Sequence, residues 1–337
     1  MTDTKKDMKA LVLFSGGLDS TIALKLLKDQ GLDTYAVYVE TGFVNADYDF
    51  LKEIAEKQIG AKLVLLMRHK QYVDKVLFTP KYGYGRFFNP CLDCHKFMIE
   101  TTWEWALEEY GKGNFFLATG EVLNQRGKSQ TRANIDRMNK DLGEILDWLV
   151  RPLSIKHFPQ TMPEKLGVIN PDNLLNLSGK QRSRQLALIE ELGIKGYQTP
   201  AGGCLLTVRG FADRLKKYSS IYKYTPEDFK IVRHGRHFWF DDKLLVMSRN
   251  EKETKLLASV DNHPYLMKLE APEPVIGPIA LIDKTANDRL IREAAGLLLD
   301  YSKCDKEAQY TFVVNGKTYE GIKAIDRQKH ADKLITG

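Results

Sequence analysis

A short segment of glycine, serine and aspartate has the composition of a phosphate-binding loop. It reads Ser15-Gly16-Gly17-Leu18-Asp19-Ser20 and follows an apolar run that is typical of a buried strand. Glycines let the backbone curve around an anion, and the positive end of a following helix attracts negative charge. The spacing is neither that of a Walker A loop nor the G-x-G-x-x-G of dinucleotide folds. The alternative is a tight strand-to-helix turn with a capping side chain.

Three cysteines could hold a metal or carry sulfur. Cys91 and Cys94 form a C-x-x-C pair, and Cys204 follows two glycines. Both members of such a pair can point at one metal, and a third thiol would complete three of the four positions of a [4Fe–4S] cluster. Alternatively, one thiolate carries sulfur and a second resolves the intermediate as a disulfide, for which Cys94 and Cys204 are the natural pair. Zinc with His95 as a fourth ligand is the remaining possibility.

The first part of the chain has the pattern of a parallel sheet covered by helices. Short apolar runs alternate with amphipathic stretches, which predicts an α/β fold. The glycine-rich loop then lies between the first strand and the first helix, the context that a phosphate site requires. We predict strands at 10–14, 34–40, 62–67 and 114–119, and helices at 20–28, 48–58 and 98–110.

After Cys204 the pattern changes to alternation that is typical of antiparallel strands. Two hairpins are predicted, over 231–248 and 310–322, and a helix over 286–301. On the first hairpin, His234, Arg236 and His237 are expected to form a polar sheet face. We therefore predict a first domain at 1–208, a linker at 209–228 and a small α+β domain at 229–337.

Composition excludes several classes of protein. The chain has 337 residues and a net charge of +6, an excess that permits nucleic-acid binding without demonstrating it. No apolar run approaches the ~20 residues of a membrane span, and the first residues contain no apolar signal core. Four cysteines are too few for a disulfide scaffold. We expect a cytoplasmic protein that does not bind membranes.

The glycine-rich loop resembles the PP-loop of the N-type ATP pyrophosphatases. In that superfamily ATP is cleaved between its α and β phosphates, the substrate is adenylated, and a nucleophile displaces AMP. The resemblance implies a catalytic PP-loop domain over 1–208, with ATP and Mg²⁺ as cofactors and a catalytic role for Asp19. It also implies that the nucleotide is bound by Ser15, Gly16, Gly17, Leu18, Asp19 and Ser20.

Two further segments resemble tRNA sulfurtransferases. Residues 89–98 resemble the C-x-x-C-[RKH]-x-x-M segment of 4-thiouridine synthetases and the N-P-x-x-x-C segment of 2-thiouridylases. Residues 119–131 resemble the T-G-E-x-L-G-Q-x-x-S-Q-T segment of the 4-thiouridine enzymes, and Arg151-Pro152-Leu153 continues the match. The resemblance implies an ATP-dependent enzyme that adenylates a uridine carbonyl oxygen of tRNA and replaces it with sulfur. ATP or the target base would be contacted by Gly120, Gln125, Ser129 and Gln130.

The resemblance also bears on the cysteines. In cluster-dependent thiolation enzymes three cysteines hold a [4Fe–4S] cluster, which implies that Cys91, Cys94 and Cys204 are catalytic metal ligands. The sulfur donor would be free sulfide or a persulfide-carrying protein, and a homodimer is possible. The alternatives are persulfide chemistry without a metal, an amide- or nitrile-forming ligase with zinc that acts on a small acid, and a non-catalytic RNA-binding protein.

RNA contacts are expected at two places. Residues 229–282 resemble the RNA-binding domain of ribosome quality-control proteins, although a small α+β domain could also serve dimerisation or packing. Directly before the C-x-x-C pair, aromatic and basic residues interleave, a composition that suits stacking on a flipped-out base. Core packing of the rings is the alternative. These residues are Tyr82, Tyr84, Arg86, Phe87 and Phe88.

Overall fold

The computed structural model describes residues 8–44, 46–197 and 203–335. The chain divides into an N-terminal unit, Met1–Leu205, and a C-terminal unit, Leu206–Gly337. The N-terminal unit contains β1 (Lys9–Leu13), α1 (Leu18–Lys28), β2 (Asp33–Glu40), α2 (Tyr48–Lys52), β3 (Lys62–Met67), α3 (His69–Tyr72), α4 (Cys91–Tyr110), β4 (Phe115–Thr119), α5 (Arg132–Leu142), β5 (Leu149–Val150), α6 (Met162–Lys165) and α7 (Ser183–Glu191). π-Helical turns continue α2 over Glu53–Ile59 and α3 over Val73–Leu77, and 3₁₀ turns cover Gly143–Trp148, Ile155–His157 and Pro171–Asn173.

The N-terminal unit is built on one parallel sheet in the order β3-β2-β1-β4-β5. The chain runs outward from β1 to β3, then returns to the other side of β1 with β4. Ligands of open α/β sheets bind where the strand order reverses, beyond the carboxyl ends of the strands. The predicted α/β parallel sheet is confirmed, and the β1–β4 edge is where a site is expected.

Helices cover both faces of this sheet because strand residues on both faces are apolar. Ala10 and Val12 share a core cluster with Ile22 and Leu27 of α1. On the opposite face α4 packs with Trp103 against Phe115 of β4, their ring centroids 4.9 Å apart. The loops after β1 and β4 therefore lie between two firmly packed helices.

The C-terminal unit is the smaller α+β structure that the sequence predicts. It contains α8 (Arg209–Ser219), α9 (Phe229–Arg233), β6 (Arg236–Phe240), β7 (Lys243–Met247), α10 (Glu251–Ala258), β8 (Leu266–Leu269), β9 (Ala280–Asp283), α11 (Asp288–Asp300), β10 (Tyr310–Val314), β11 (Lys317–Ile322) and β12 (Leu334–Ile335), with 3₁₀ turns at Leu205–Thr207, Pro226–Asp228 and Arg327–Lys333. An antiparallel sheet has the order β12-β6-β7-β9-β8, and β10 pairs with β11 in a separate hairpin. The buried face of α11 packs in one core with Phe312 and Tyr319 of that hairpin.

A polar sheet face and a linker at 209–228 are two of the features predicted for this part of the chain. The prediction that His237 belongs to a polar sheet face is wrong, because its side chain is fully buried and Nε2 lies 3.0 Å from the carbonyl oxygens of Ile231 and His234. Residues 209–228, predicted as a linker, include α8, whose Phe211 and Tyr218 are buried. The domain bounds stay a prediction. Within the described residues, every helix is too short or too polar to cross a bilayer.

Candidate active site at the carboxyl ends of β1 and β4

The glycine-rich loop connects β1 to α1 as a tight turn. Gly16 has a φ of +70°, in the left-handed region that favours glycine. Gly17 precedes α1 and has no side chain that could accept hydrogen bonds from the first helical turn. The N–H groups of that turn can therefore face an anion, assisted by the helix dipole. This local geometry fits a phosphate group.

Two serine hydroxyls fix the shape of the loop. Ser20 Oγ accepts from the Ser15 N–H at 3.3 Å and donates to the Gly17 carbonyl at 3.0 Å. Ser15 Oγ lies 3.3 Å from Ser20 Oγ. Leu18, predicted to bind the nucleotide, directs its side chain into the core, so only its backbone could contact a ligand.

Asp19 is held in the loop by a chain of buried amides. Its Oδ2 accepts from Gln125 Nε2 at 2.5 Å, and Gln125 Oε1 accepts from Gln185 Nε2 at 2.7 Å. The guanidinium of Arg182 lies 3.9 Å from the same carboxylate oxygen. Burial raises the pKa of Asp19 above its ordinary value, against the opposing effects of Gln125 and Arg182.

The second carboxylate oxygen of Asp19, Oδ1, is buried and has no hydrogen-bond partner among the described residues. Mg²⁺ bound with a nucleotide uses one or two protein carboxylates together with phosphate oxygens. An unpaired carboxylate oxygen beside a phosphate-binding turn has the chemistry that such a cation needs. The residues present therefore fit Mg²⁺, with Asp19 as its ligand.

The loop after β4 closes against the glycine-rich loop. Leu13 and Thr119 are register partners, so Gly120 lies beside the start of α1. A Cβ at Gly120 would lie 2.6 Å from the Ser20 backbone nitrogen, which requires glycine for the close approach. Farther along, Ser129 and Gln130 are buried, and Gln130 Oε1 has no partner among the described residues. The predicted nucleotide-binding residues are thus brought to one edge of the sheet.

A buried ion pair ties this edge together. Glu121 Oε2 accepts from Arg151 Nε at 2.8 Å, and Oε1 lies 3.2 Å from Nδ1 of His95 in α4. Burial alone would raise the pKa of Glu121, but the charge of Arg151 and the contact with His95 hold it at about 2. The pair connects the ends of β4 and β5 to the helix that carries the C-x-x-C pair.

The first turn of α4 carries two of the three candidate cysteines. Cys91 is the first residue of the helix, which begins seven residues before the predicted start at Met98. Asp93 accepts hydrogen bonds from the backbone N–H groups of Lys81 at 2.8 Å and Tyr82 at 3.0 Å. The preceding surface segment is therefore fastened to the cysteine-bearing turn.

The three thiols influence one another. Burial raises the pKa of Cys94, and the negative charge of the Cys204 thiolate raises it further, while a hydrogen bond with Tyr72 acts in the opposite direction. The charge of Cys91 adds to the same effect. The N–H of Leu205, next to Cys204, donates to the carbonyl of Phe43 at 2.8 Å. The structure thus brings together cysteines that are more than one hundred residues apart.

The metal prediction concerns these same three thiols. In the part of the chain that the structure describes, no group of three His, Cys, Asp or Glu side chains is found in an arrangement that holds a metal ion. The cluster and the zinc site stay predictions for the three thiols. Their arrangement is that of neighbouring thiols in partly buried surroundings.

Arg126 connects the nucleotide loop with the cysteines. Its charge lowers the pKa of Asp19, and it is the main charge that opposes the effect of burial on the pKa of Cys91. Lys128 acts on Cys91 in the same direction. The charge of Arg126 therefore acts on groups of both the nucleotide loop and the cysteine-bearing turn.

Three residues of this site could not be recognised from the sequence. Glu121 and Arg151 lie within motifs that were recognised, but their pairing needs the sheet, because 30 residues separate them. Gln185 lies on α7 in a stretch without a motif, and no local signal could have identified it.

Comparison with known proteins supports these observations. Residues 8–168 match the family described as "tRNA methyl transferase HUP domain". Residues 235–335 match "NFACT protein RNA binding domain". A crystal structure from Methanocaldococcus jannaschii, titled a predicted subunit of tRNA methyltransferase, is 19% identical, covers 55% of this chain and 76% of that chain, and has a TM-score of 0.34, too low to support an argument.

Two curated relatives give closer matches. The tRNA-specific 2-thiouridylase MnmA of Bacillus subtilis (strain 168) is 31% identical over 233 residues, which are 65% of this chain and 58% of that protein. The chain therefore spans less than two thirds of that relative. The tRNA-specific 2-thiouridylase MnmA of Staphylococcus epidermidis (strain ATCC 35984) is 30% identical over 283 residues, which are 77% of this chain and 73% of that protein. By this second match, the chain belongs to the family of the tRNA-specific 2-thiouridylases.

Proposed function

We propose that the chain is an ATP-dependent sulfurtransferase that converts a uridine of tRNA into 2-thiouridine. The observation that carries the proposal is the hydrogen bond of 2.5 Å that Gln125, in the loop after β4, donates to Asp19 of the glycine-rich loop, while the charge of the next residue, Arg126, lowers the pKa of Cys91. Adenylation and sulfur transfer must occur at the same carbonyl group, so the two sets of residues must meet. The relatives are named 2-thiouridylases, which supports the C2 oxygen as the one replaced.

The first half of the reaction uses the glycine-rich loop. Backbone N–H groups at the start of α1 and the hydroxyls of Ser15 and Ser20 bind the phosphates of ATP. Mg²⁺, when bound at Asp19, neutralises charge on the phosphates. The C2 oxygen of uridine attacks the α-phosphorus and pyrophosphate leaves. The oxygen is then bonded to AMP, which makes it a good leaving group.

The second half uses two cysteines. A deprotonated persulfide on Cys204 attacks C2 with its terminal sulfur, and AMP departs with the former uridine oxygen. The Cys94 thiolate then attacks the inner sulfur, so the S–S bond to the nucleobase breaks and a disulfide forms. The transferred sulfur is reduced, and the two cysteines are oxidised. A thiol reductant and a persulfide-carrying donor restore the starting state.

The [4Fe–4S] cluster on Cys91, Cys94 and Cys204 stays a prediction. The persulfide scheme uses only Cys94 and Cys204 and requires no cluster. Iron and acid-labile sulfide, measured per chain after anaerobic purification of the wild type and Cys91→Ala, separate the two schemes. Near four of each, lost in the variant, would replace the persulfide scheme by the cluster.

The C-terminal unit supports RNA as the substrate. Its match to an RNA-binding domain covers residues 235–335, so we propose that this unit binds tRNA while the N-terminal unit carries out the chemistry. A cytoplasmic location and a homodimer stay predictions.

The test is thiolation of unmodified tRNA with ATP and a persulfide donor. We expect release of AMP and pyrophosphate and formation of 2-thiouridine, detected by nucleoside mass spectrometry. Asp19→Asn should abolish both, and Cys204→Ser should retain adenylation but form no thiouridine. Cys304→Ser, a half-buried cysteine of the C-terminal unit, is the matched control and should behave as wild type. Ammonia-dependent AMP release without RNA would favour the small-acid ligase instead.

A further inference from the structure

The surface segment before α4 presents two exposed aromatic rings. The side chains of Tyr84 and Phe87 are 40% and 38% exposed, whereas Phe88 is buried. Tyr84 stacks on Phe88 with ring centroids 4.5 Å apart and an interplanar angle of 17°. Its hydroxyl donates to the Leu77 carbonyl at 2.8 Å. One face of the Tyr84 ring is thus supported by the protein, and the ring is held in a fixed orientation.

Phe87 adopts an unfavourable backbone conformation. Its φ is +59°, in the left-handed region that a bulky residue rarely occupies. The N–H of Gly85 donates to the carbonyl of Asn89 at 2.7 Å, which closes the turn around Phe87. The guanidinium of Arg86 lies 4.9 Å from the centre of the Phe87 ring. Backbone strain of this kind clusters at active sites and ligand-binding segments.

Positive charge surrounds the rings. A Cβ at Gly85 would lie 3.1 Å from Cδ of Lys128, so the lysine stem packs against this turn. The turn closes at Asn89, two residues before Cys91, so it lies beside the cysteine-bearing start of α4. Tyr82 is used differently, because its hydroxyl bonds Asp141 and the Arg137 guanidinium lies 4.8 Å from its ring centre. The exposed aromatic surface therefore consists of Tyr84 and Phe87.

We propose that Tyr84 and Phe87 form a stacking platform for an unpaired base of the RNA substrate, with Arg86 and Lys128 contacting phosphates of the same RNA strand. Aromatic faces with adjacent cations are how single-stranded nucleic acid is bound. The inference rests on the proposed function, because it takes RNA as the substrate. The platform would position the RNA substrate next to the cysteines.

The experiment measures stacking directly. An unmodified tRNA transcript carries 2-aminopurine at single positions of its loops, and its fluorescence is followed as full-length protein is added. Wild type should quench one of the labels. Tyr84→Ala and Phe87→Gly should lose the quenching and raise the KM for tRNA between about fivefold and about 150-fold, with kcat unchanged.

Three controls separate stacking from folding. Phe87→Gly removes the ring and suits the positive φ, so its melting temperature should equal or exceed that of wild type. Tyr84→Phe keeps the ring and should retain quenching and KM. Met67→Ala removes another exposed apolar side chain, 58% exposed at the sheet edge, and should have no effect. The salt dependence of binding should be unchanged in the ring variants and weaker in Lys128→Ala.

Several results would overturn the inference. If wild type thiolates tRNA while both ring variants keep wild-type KM and quenching, the platform is refuted and the proposed function stands. Absence of quenching at every labelled position refutes the platform as well. A loss of rate only with a protein persulfide donor, and not with a low-molecular-weight persulfide such as glutathione persulfide, would assign the rings to the donor protein. Quenching that depends on the rings, without any thiolation, refutes the proposed function and leaves the platform.

Discussion

Glu121→Gln should destabilise the N-terminal unit strongly. The side chains of Glu121 and Arg151 are 5% and 2% exposed, so the substitution leaves a buried guanidinium without its counter-ion. The environment lowers the pKa of Glu121 from 4.5 to about 2, which corresponds to about 3 kcal/mol of stability at neutral pH. Breaking buried ion pairs costs about 3–5 kcal/mol in other proteins. We therefore expect the free energy of unfolding to fall by about 3 kcal/mol at pH 7.

The pH dependence gives an independent check. Because the folded pKa lies below the unfolded value, the stabilisation is complete above about pH 4.5 and is lost as the pH falls towards 2. Glu121→Gln has no carboxyl at this position, so its acid unfolding should lack the loss of stability that protonation of Glu121 causes in wild type. The difference in unfolding free energy between the two proteins should shrink over the same interval.

Urea unfolding followed by tryptophan fluorescence measures the effect. The Trp239→Phe background leaves Trp103, Trp105 and Trp148, so the signal reports on the N-terminal unit. The double variant Glu121→Leu/Arg151→Met is the control, because replacing both charges should cost less than the sum of the single changes. A loss below about 1 kcal/mol for Glu121→Gln, with unchanged acid sensitivity, would refute the description of this pair.

Three further changes test other contacts. Gly120→Ala places a Cβ 2.6 Å from the Ser20 backbone nitrogen. This overlap should lower the free energy of unfolding by about 1–3 kcal/mol and abolish AMP release. Wild-type activity in a steady-state assay would contradict the close packing of the two loops. Gln185→Leu removes the side chain that donates to Gln125. It should lower the free energy of unfolding by about 1–3 kcal/mol and raise the KM for ATP. An unchanged KM would contradict the role of Gln185 in holding Gln125 against Asp19. Burial lowers the pKa of His237 from 6.5 to about 3. The free energy of unfolding of the C-terminal unit should therefore fall by about 2 kcal/mol as the pH is lowered from 6.5 to 5, because the unfolded state gains a proton that the folded state does not. Unfolding followed by Trp239 fluorescence measures this loss, and His237→Gln should reduce it.

Local patterns predict the scaffold of the site well. β1 and α1 differ from their predicted bounds by one or two residues, because a buried apolar run followed by two glycines leaves few other structures. The hairpin predicted over 310–322 follows equally from local chemistry, because Asn315-Gly316 favours a tight turn.

Contacts that depend on tertiary structure are less visible in the sequence. The predicted start of α4, at Met98, is seven residues too late, because residues 91–97 are largely polar or cysteine and show little apolar periodicity. A polar sheet face is predicted for His237 because histidine is polar, yet its ring is buried in the core, where Nε2 lies 3.0 Å from two backbone carbonyl oxygens. Gln185 acquires its role only when α7 packs beside α1 and meets Gln125. The partners of His237 are backbone carbonyls, and the partner of Gln185 is 60 residues away in the sequence.

The central claim is that one carbonyl oxygen of uridine leaves as part of AMP while sulfur takes its place. The most direct measurement uses tRNA whose uridines carry ¹⁸O at C2, with ATP, the persulfide donor and mass spectrometry of the released AMP. The proposed reaction predicts one heavy oxygen in AMP for each 2-thiouridine formed, and neither product with Asp19→Asn. Thiouridine formed while AMP contains only ordinary oxygen would contradict adenylation of the carbonyl and the mechanism built on it.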